Sequence, residues 1–209
     1  MDETLLRTPG LTDFSDPPVP EGESPYVTGA GPRLDVRVVE PDPAWPAQAR
    51  AVIARIRQVL GPVVVGLEHV GSTAVPGLPA KPVLDLDLRV TDPDDESAYL
   101  PPLEAAGFEL TVREPWWYRH RMLRGSDPDV NLHVSGPESA ESARQRLFRD
   151  WLREHPEDVA RYAEAKRSAA AESAAVGEHV QQYNARKQAV LRDVYARLFA
   201  AAGLASRRR

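Results

Sequence analysis

One short strand constrains this chain more than any other stretch, because leucines and aspartates alternate along Val83–Val90. Consecutive side chains of a strand point to opposite faces of the sheet. Three leucines therefore share one face, which we expect to pack against a helix layer (Leu84, Leu86 and Leu88). Asp85 and Asp87 project together from the other face. They are either polar residues on a half-exposed strand or one side of a metal site.

A turn of small residues, Gly71, Ser72 and Thr73, lies upstream of this strand. Backbone N–H groups and hydroxyls in such a turn can cradle phosphates. Two neighbouring carboxylates repel each other unless a cation or solvent compensates, and carboxylate oxygens are ligands that Mg²⁺ prefers. The two features together predict Mg²⁺ held by Asp85 and Asp87 beside a phosphate site. These are the parts that phosphoryl or nucleotidyl transfer requires.

Composition excludes several classes of function. The chain has no cysteine, which rules out disulfides, zinc–cysteine sites and a cysteine nucleophile. The net charge of −5 argues against a dedicated nucleic-acid-binding protein. No apolar run approaches the length of a membrane span, and the first residues lack the pattern of a secretory signal. We therefore expect a cytoplasmic protein with no membrane partner.

Four segments follow from the patterns along the chain. Residues 1–33 are rich in Pro, Gly and Ser without an apolar period, which predicts a disordered leader. Residues 34–136 alternate between strand and helix patterns, beginning with a strand over 34–40 and a helix over 45–60. Residues 137–203 keep a helical period, which predicts a helical portion packed on the core. Residues 204–209 form a short basic tail.

The order and spacing of several motifs resemble the GrpB-like family. Gly-Ser, a spacer (residues 73–84) and then Asp-x-Asp in an apolar strand are typical of the nucleotidyltransferase superfamily. The longer string "EHVGSTAVPGLPAKPVLDLDLRV" is followed by "VNLHV", by "RLFRDWLREHPEDVARYAEAKRSAA" and by "YNARK". The resemblance runs from about Leu34 to Phe199. It implies an α+β fold, a nucleotidyltransferase-like mixed sheet with flanking helices and a helical C-terminal portion.

The resemblance implies Mg²⁺-dependent transfer of a nucleotidyl group from a nucleoside triphosphate to an unknown small acceptor. Superfamily members place a third carboxylate on a neighbouring strand, but the matching segment here carries Asn131 and His133. His133 is a candidate metal ligand or catalytic base, and Asn131 a candidate substrate contact; both are otherwise satisfied polar residues. The alternative function is a catalytically degenerate module that binds a nucleotide or a CoA-type ligand. In some actinobacterial proteins a similar domain is fused to dephospho-CoA kinase, which associates it with coenzyme A metabolism.

Further candidates for the binding site are cationic or lie next to the turn. His69 precedes the turn, and Lys81 lies four residues before Asp85. Two Tyr-x-x-x-Lys pairs place each tyrosine on the same helix face as its lysine. We expect three of these side chains to meet the phosphates of a nucleoside triphosphate or related nucleotide (Lys166, Tyr183 and Lys187). The other interpretation is that the lysines are solvated.

Overall fold

The computed structural model describes residues 2–27, 29–34 and 36–204. Within these residues, five strands form one mixed sheet: β1 (Gly66–Val70), β2 (Leu84–Arg89), β3 (Glu109–Glu114), β4 (His120–Gly125) and β5 (Val130–Ser135). Their spatial order is β1-β2-β5-β4-β3. The central pair, β2 and β5, is parallel, and the other neighbouring pairs are antiparallel. β2 and β5 therefore lie side by side in the middle of the sheet, where both faces are covered.

The helices in the same residues are α1 (Glu3–Leu6), α2 (Trp45–Leu60), α3 (Leu100–Ala105), α4 (Ala140–Glu154), α5 (Pro156–Val176) and α6 (Val180–Ala201). The predicted helix over 45–60 is confirmed. α3 forms despite Pro101 and Pro102, because proline is tolerated in the first helical turn. No helix among the described residues is both long and apolar enough to cross a membrane.

The two faces of β2 meet different surroundings. Leu84, Leu86 and Leu88 are buried in a core that they share with α2. A second apolar cluster joins α4, α5 and α6 to the N-terminal residues. The helical half therefore has a core of its own, and it covers the polar face of the sheet. The predicted α+β class, with a mixed sheet and a helical C-terminal portion, is confirmed.

The segment 34–40 does not form the predicted strand in its described residues, 34 and 36–40, where the structure has only a single bridge between Val39 and Ala80. Val36 and Val38 instead pack against Ala169 and Tyr183 of the helical half. The apolar alternation of this segment therefore marks contacts with α5 and α6 and not pairing within the sheet.

Part of the segment predicted as a disordered leader contacts the domain in the structure. Leu5 and Leu11 are buried in the helical core. Arg144, only 2% exposed, donates hydrogen bonds to the carbonyls of three leader residues (Gly10, Leu11 and Asp13). A buried guanidinium requires such acceptors, and the irregular backbone of the leader supplies them. Residues 1 and 28 of the leader and residues 205–209 of the predicted basic tail lie outside the described residues.

Candidate functional site

A cleft of about 420 Å³ lies between the polar face of the sheet and helices α5 and α6. Most of the site residues predicted from the sequence line it: Gly71, Ser72, Lys81, Asp85, Asn131, His133, Lys166, Tyr183 and Lys187. Residues from both halves of the chain thus meet in one place. Three predicted site residues, His69, Thr73 and Asp87, are not among those that line the cleft.

The small-residue turn is built directly over the Asp85 side chain. Antiparallel pairing sets Val70 opposite Asp85, so the next residue, Gly71, crosses the carboxylate. Gly71 has a φ of +69°, and a Cβ at this position would lie 2.4 Å from Oδ2 of Asp85. Glycine meets both demands, since it lacks a Cβ and tolerates positive φ. Asn131 fixes the carboxylate from the other side, where Nδ2 donates to Oδ1 at 2.9 Å.

Two histidines, the half-buried His133 and the buried His120, connect Asp85 to the far strands. His133 Nε2 lies 3.7 Å from Oδ1 of Asp85, and its Nδ1 lies 3.0 Å from Nε2 of His120. His120 Nδ1 is in turn 2.8 Å from Oε2 of Glu114. Strand register produces this chain of four groups, because β4 lies beside β5 and Glu114 pairs with His120.

The protonation states of the two histidines and Asp85 are consistent with the hydrogen bonds that join them. Burial lowers the pKa of His133, but its contact with Asp85 outweighs burial and the net pKa is raised. Burial acts in the opposite direction on Asp85, and His133 and Asn131 bring the net pKa of that carboxyl below its ordinary value. Burial also lowers the pKa of His120. A charged His133 can therefore donate to a neutral His120, which donates to Glu114.

Asp87 lies on the same strand face as Asp85 but is enclosed by helix α4. Asp87 is only 1% exposed. Its Oδ2 accepts a hydrogen bond from Ser142 Oγ at 2.8 Å. Arg89 Nη1 lies 3.1 Å from the same oxygen, and Arg146 Nε lies 3.6 Å from it. Burial raises the pKa of Asp87, and the arginines oppose this shift only in part. Asp87 therefore joins the helical half to the sheet.

The two aspartates do not form an open pair of Mg²⁺ ligands in this arrangement. Asp87 is already bound to a hydroxyl and a guanidinium, and a dication beside Arg89 would meet a positive charge. Among the described residues, no group of three or more His, Asp or Glu side chains is placed to hold a metal ion. Of the predicted pair, only Asp85 lines the cleft. Magnesium binding by both carboxylates stays a prediction that requires Asp87 to exchange its partners.

His69 and Thr73 stabilise the turn from behind. Thr73 is buried, and its hydroxyl donates to the carbonyl of Val83 at 3.4 Å. His69 Nε2 lies 2.9 Å from the same hydroxyl oxygen, so the neutral imidazole acts as the donor. Burial lowers the pKa of His69 to about 4. Neither side chain is directed to a ligand in the cleft, and both hold the turn against β2.

Lysines and tyrosines alternate along the helical wall of the cleft. Lys187 Nζ donates to the Tyr162 hydroxyl at 3.2 Å and lies 5.4 Å from the centre of the Tyr183 ring. Lys166 Nζ lies 5.4 Å from the Tyr162 ring. Lys81 reaches the Tyr183 ring from the sheet side, at 5.5 Å. We call Lys81, Lys166 and Lys187 the lysine cluster.

Two polar atoms of this wall have no hydrogen-bond partner among the residues that the structure describes. They are Nζ of Lys166, which is 2% exposed, and the hydroxyl oxygen of Tyr183, which is 1% exposed. Burial, followed by the charge of Lys187, lowers the pKa of Lys166 well below its ordinary value. Buried polar groups in proteins are paired with protein groups or ordered water, so these two atoms are available to water or to a polar ligand.

The low lysine content of the sequence is a further signal for this site, one that the motif patterns do not contain. The chain has 26 basic residues, of which three are lysines and 23 are arginines. All three lysines line the same cleft. Tyr162, Glu141 and Arg124 also line it and were not predicted. Lysine is therefore confined to the cleft, while arginine supplies the other basic side chains.

The sequence has clear relatives. The family model described as GrpB protein matches residues 35–197. A UPF0157 protein from Halalkalibacterium halodurans is 43% identical over 162 residues, which are 78% of this chain and 82% of the relative. A UPF0157 protein from Streptomyces coelicolor is 37% identical over 76% of this chain and 83% of its own length. A protein from Mycolicibacterium paratuberculosis named dephospho-CoA kinase is 34% identical over 79% of this chain but only 46% of its own length.

A solved structure agrees with these matches. It is described as conserved protein GrpB from Enterococcus faecalis, and it superposes with a TM-score of 0.65 at 24% identity. The superposition covers 78% of this chain and 99% of that one, which shows a shared fold. Because the family model spans most of the sequence and the resemblance seen in its motifs is confirmed, this chain belongs to the GrpB family.

Proposed function

We propose that the chain binds a phosphorylated small molecule, a nucleotide or a CoA-type ligand, in the cleft lined by the lysine cluster. The observation that carries the proposal is Lys166, a buried amine without a hydrogen-bond partner among the described residues, facing two further lysines. Phosphate oxygens accept hydrogen bonds from ammonium groups and neutralise their charge. The tyrosine rings beside the lysines offer an apolar surface for the rest of the ligand.

The ligand classes rest on different arguments. The cleft volume of about 420 Å³ falls in the range of small-molecule sites, which suits a nucleotide. The CoA-type ligand is inferred only from the name of relatives called dephospho-CoA kinase, which this chain matches over less than half of their length. We keep both classes as candidates, because they share the phosphate groups that the lysine cluster would bind.

Nucleotidyl transfer to a small acceptor is the second candidate function. It is favoured by Gly71, Ser72 and Asp85, which lie together in the cleft in the superfamily's order. Two features weigh against it: Asp87 is engaged with arginines, and Asn131 and His133 stand where a third carboxylate belongs. The binding function therefore takes precedence.

A thermal-shift and calorimetric screen tests the binding function. The ligands are ATP, AMP, CoA and dephospho-CoA, each with and without Mg²⁺. A ligand present at about 100 times its Kd stabilises the native state by about 2.7 kcal/mol, which for a chain of this size raises Tm by about 5 to 10 °C. Absence of any shift and of any heat of binding with all four ligands would refute the proposal.

Two substitutions on α5 make the test specific for the cleft. Lys166→Met removes the buried amine, and we expect it to weaken binding of phosphorylated ligands. Arg167→Met removes the adjacent cation, which is exposed and pairs with Glu40 at 2.9 Å. We expect this control to bind like the wild type. ATP binding that Mg²⁺ strengthens in the wild type but not in Asp85→Asn would favour the transfer function; no effect of Mg²⁺ would count against it.

A further inference from the structure

We propose that the lysine cluster is a subsite for a terminal phosphomonoester, and that Lys166 takes up a proton when this group binds. The proposal deepens the proposed function and rests on it, since it names the chemical group that the cleft recognises. It excludes a bridging phosphodiester as the group held there.

The charge of the site favours a dianion over a monoanion. The Asp85 carboxylate already has a charged partner in His133, so it does not compensate the three ammonium groups of the lysine cluster. A phosphomonoester carries about −1.5 to −2 at pH 7 and offers three acceptor oxygens. A phosphodiester within a chain carries one charge and has two free oxygens. The monoester compensates more of this positive charge than a diester does, and it offers one free oxygen for each amine.

The empty cleft favours a neutral amine at position 166. Lys166 is 2% exposed, and without a ligand its ammonium group lacks a hydrogen-bond acceptor among the described residues. Burial and the neighbouring charges lower its pKa. The groups that face it are Lys187 and Tyr183 of α6, Tyr162 of its own helix, Asp85 of β2 and Lys81 between β1 and β2. Of these groups, only Asp85 carries a negative charge, which stabilises the protonated form of Lys166.

Arginine would not serve at this position. A guanidinium keeps its proton in proteins, so an arginine at position 166 would be a permanent buried charge in the empty cleft. Lysine avoids this cost by losing its proton, and it regains the proton when a dianion arrives. Loss and regain of a proton would account for a lysine at position 166 in a chain that has 23 arginines and three lysines.

The sign of the pH dependence follows from linkage. The bound dianion raises the pKa of Lys166 above its value in the empty cleft. Between these two values, binding takes up a proton, and the affinity falls as the pH rises, by up to about tenfold per pH unit. The second pKa of a phosphomonoester is about 6, so the ligand itself does not titrate between about pH 7 and pH 9.

Two pairs of ligands isolate the monoester. CoA carries a phosphomonoester that dephospho-CoA lacks, and AMP carries one that cyclic AMP replaces by a diester. We expect the monoester of each pair to bind at least about tenfold more tightly at constant salt, because it carries the greater negative charge and a third free oxygen. Lys166→Met should abolish this preference, while Arg167→Met should retain it.

Calorimetry in two buffers of different ionisation enthalpy counts the protons. At about pH 8 we expect uptake of about one proton per CoA, and near zero for dephospho-CoA and for CoA with Lys166→Arg. If Lys166→Arg does not fold, the number of protons taken up by the wild type decides the matter. Uptake of no proton overturns the proposal. Equal affinities within both ligand pairs would also overturn it while leaving the proposed function standing. No binding of ATP, AMP, CoA or dephospho-CoA would refute both.

Discussion

Replacing Gly71 by alanine tests whether the turn is built around the Asp85 carboxylate. A Cβ at this position would lie 2.4 Å from Oδ2 and 2.8 Å from Cβ of Asp85, with φ at +69°. A left-handed conformation costs an L-residue about 1–2 kcal/mol. Overpacking a tight contact costs about 1–3 kcal/mol more. We therefore expect Gly71→Ala to lower the free energy of unfolding by about 2–5 kcal/mol.

Gly77 supplies a matched control in the same connection between β1 and β2. Its φ is +76°, but no heavy atom lies within 4 Å of where its Cβ would be. Gly77→Ala should therefore cost only the conformational term, about 1–2 kcal/mol. Urea unfolding followed by circular dichroism measures both variants against the wild type. Equal losses for the two variants would refute the reasoning, because the contact with Asp85 would then carry no cost.

Three further changes test other parts of the structure. Leu11→Ala should cost about 2–5 kcal/mol of unfolding free energy if the N-terminal segment is packed, whereas the exposed Val19→Ala should cost less than about 0.5 kcal/mol. Asp87→Asn should leave the free energy of unfolding at neutral pH unchanged or raise it, because burial penalises the Asp87 charge more than the arginines favour it, as its raised pKa indicates, and Arg89 keeps its ion pair with Glu68. His69 has a pKa lowered to about 4, below its unfolded value, so its contribution is present above about pH 6.5 and is lost as pH falls. The wild type should therefore lose about 2 kcal/mol more than His69→Gln between about pH 7 and pH 5.

Each of these predictions has a measurement that would contradict it. Urea unfolding compares the leucine and valine variants, and similar small losses would support a detached leader. An Asp87→Asn protein clearly less stable than the wild type at neutral pH would show that the arginine contacts outweigh the burial of the carboxylate. Stability curves of the wild type and His69→Gln that stay parallel between about pH 7 and pH 5 would show that burial does not shift this histidine.

The sequence determined the position of α2 and the direction of the β2 side chains. Alternation put the three leucines of β2 in the core, and the helical period located α2 within the bounds observed. Such patterns are local, since a strand or helix fixes which side a residue faces. The motif spacing also placed Gly71 next to Asp85, because one short connection joins β1 to β2.

The sequence did not distinguish Asp85 from Asp87. Both share a strand face, but only the first opens to the cleft, because α4 covers the second with Ser142, 55 residues away in the chain. Local pattern cannot report which distant helix lies opposite a side chain. For the same reason, local pattern did not predict the contacts of His133. The order of the strands in the sheet brings His120 and Glu114 to it.

Composition did not reveal the contacts of the N-terminal segment, for a related reason. Its Pro, Gly and Ser content predicts disorder, since few of its residues can bury apolar area. The structure supplies the missing contacts from elsewhere, with Arg144 donating to carbonyls more than 130 residues away. The lysine cluster likewise exists only after folding, which brings Lys81 of the sheet half opposite Lys166 and Lys187. Sequence set what each side chain can do, and tertiary packing decided which side chains meet.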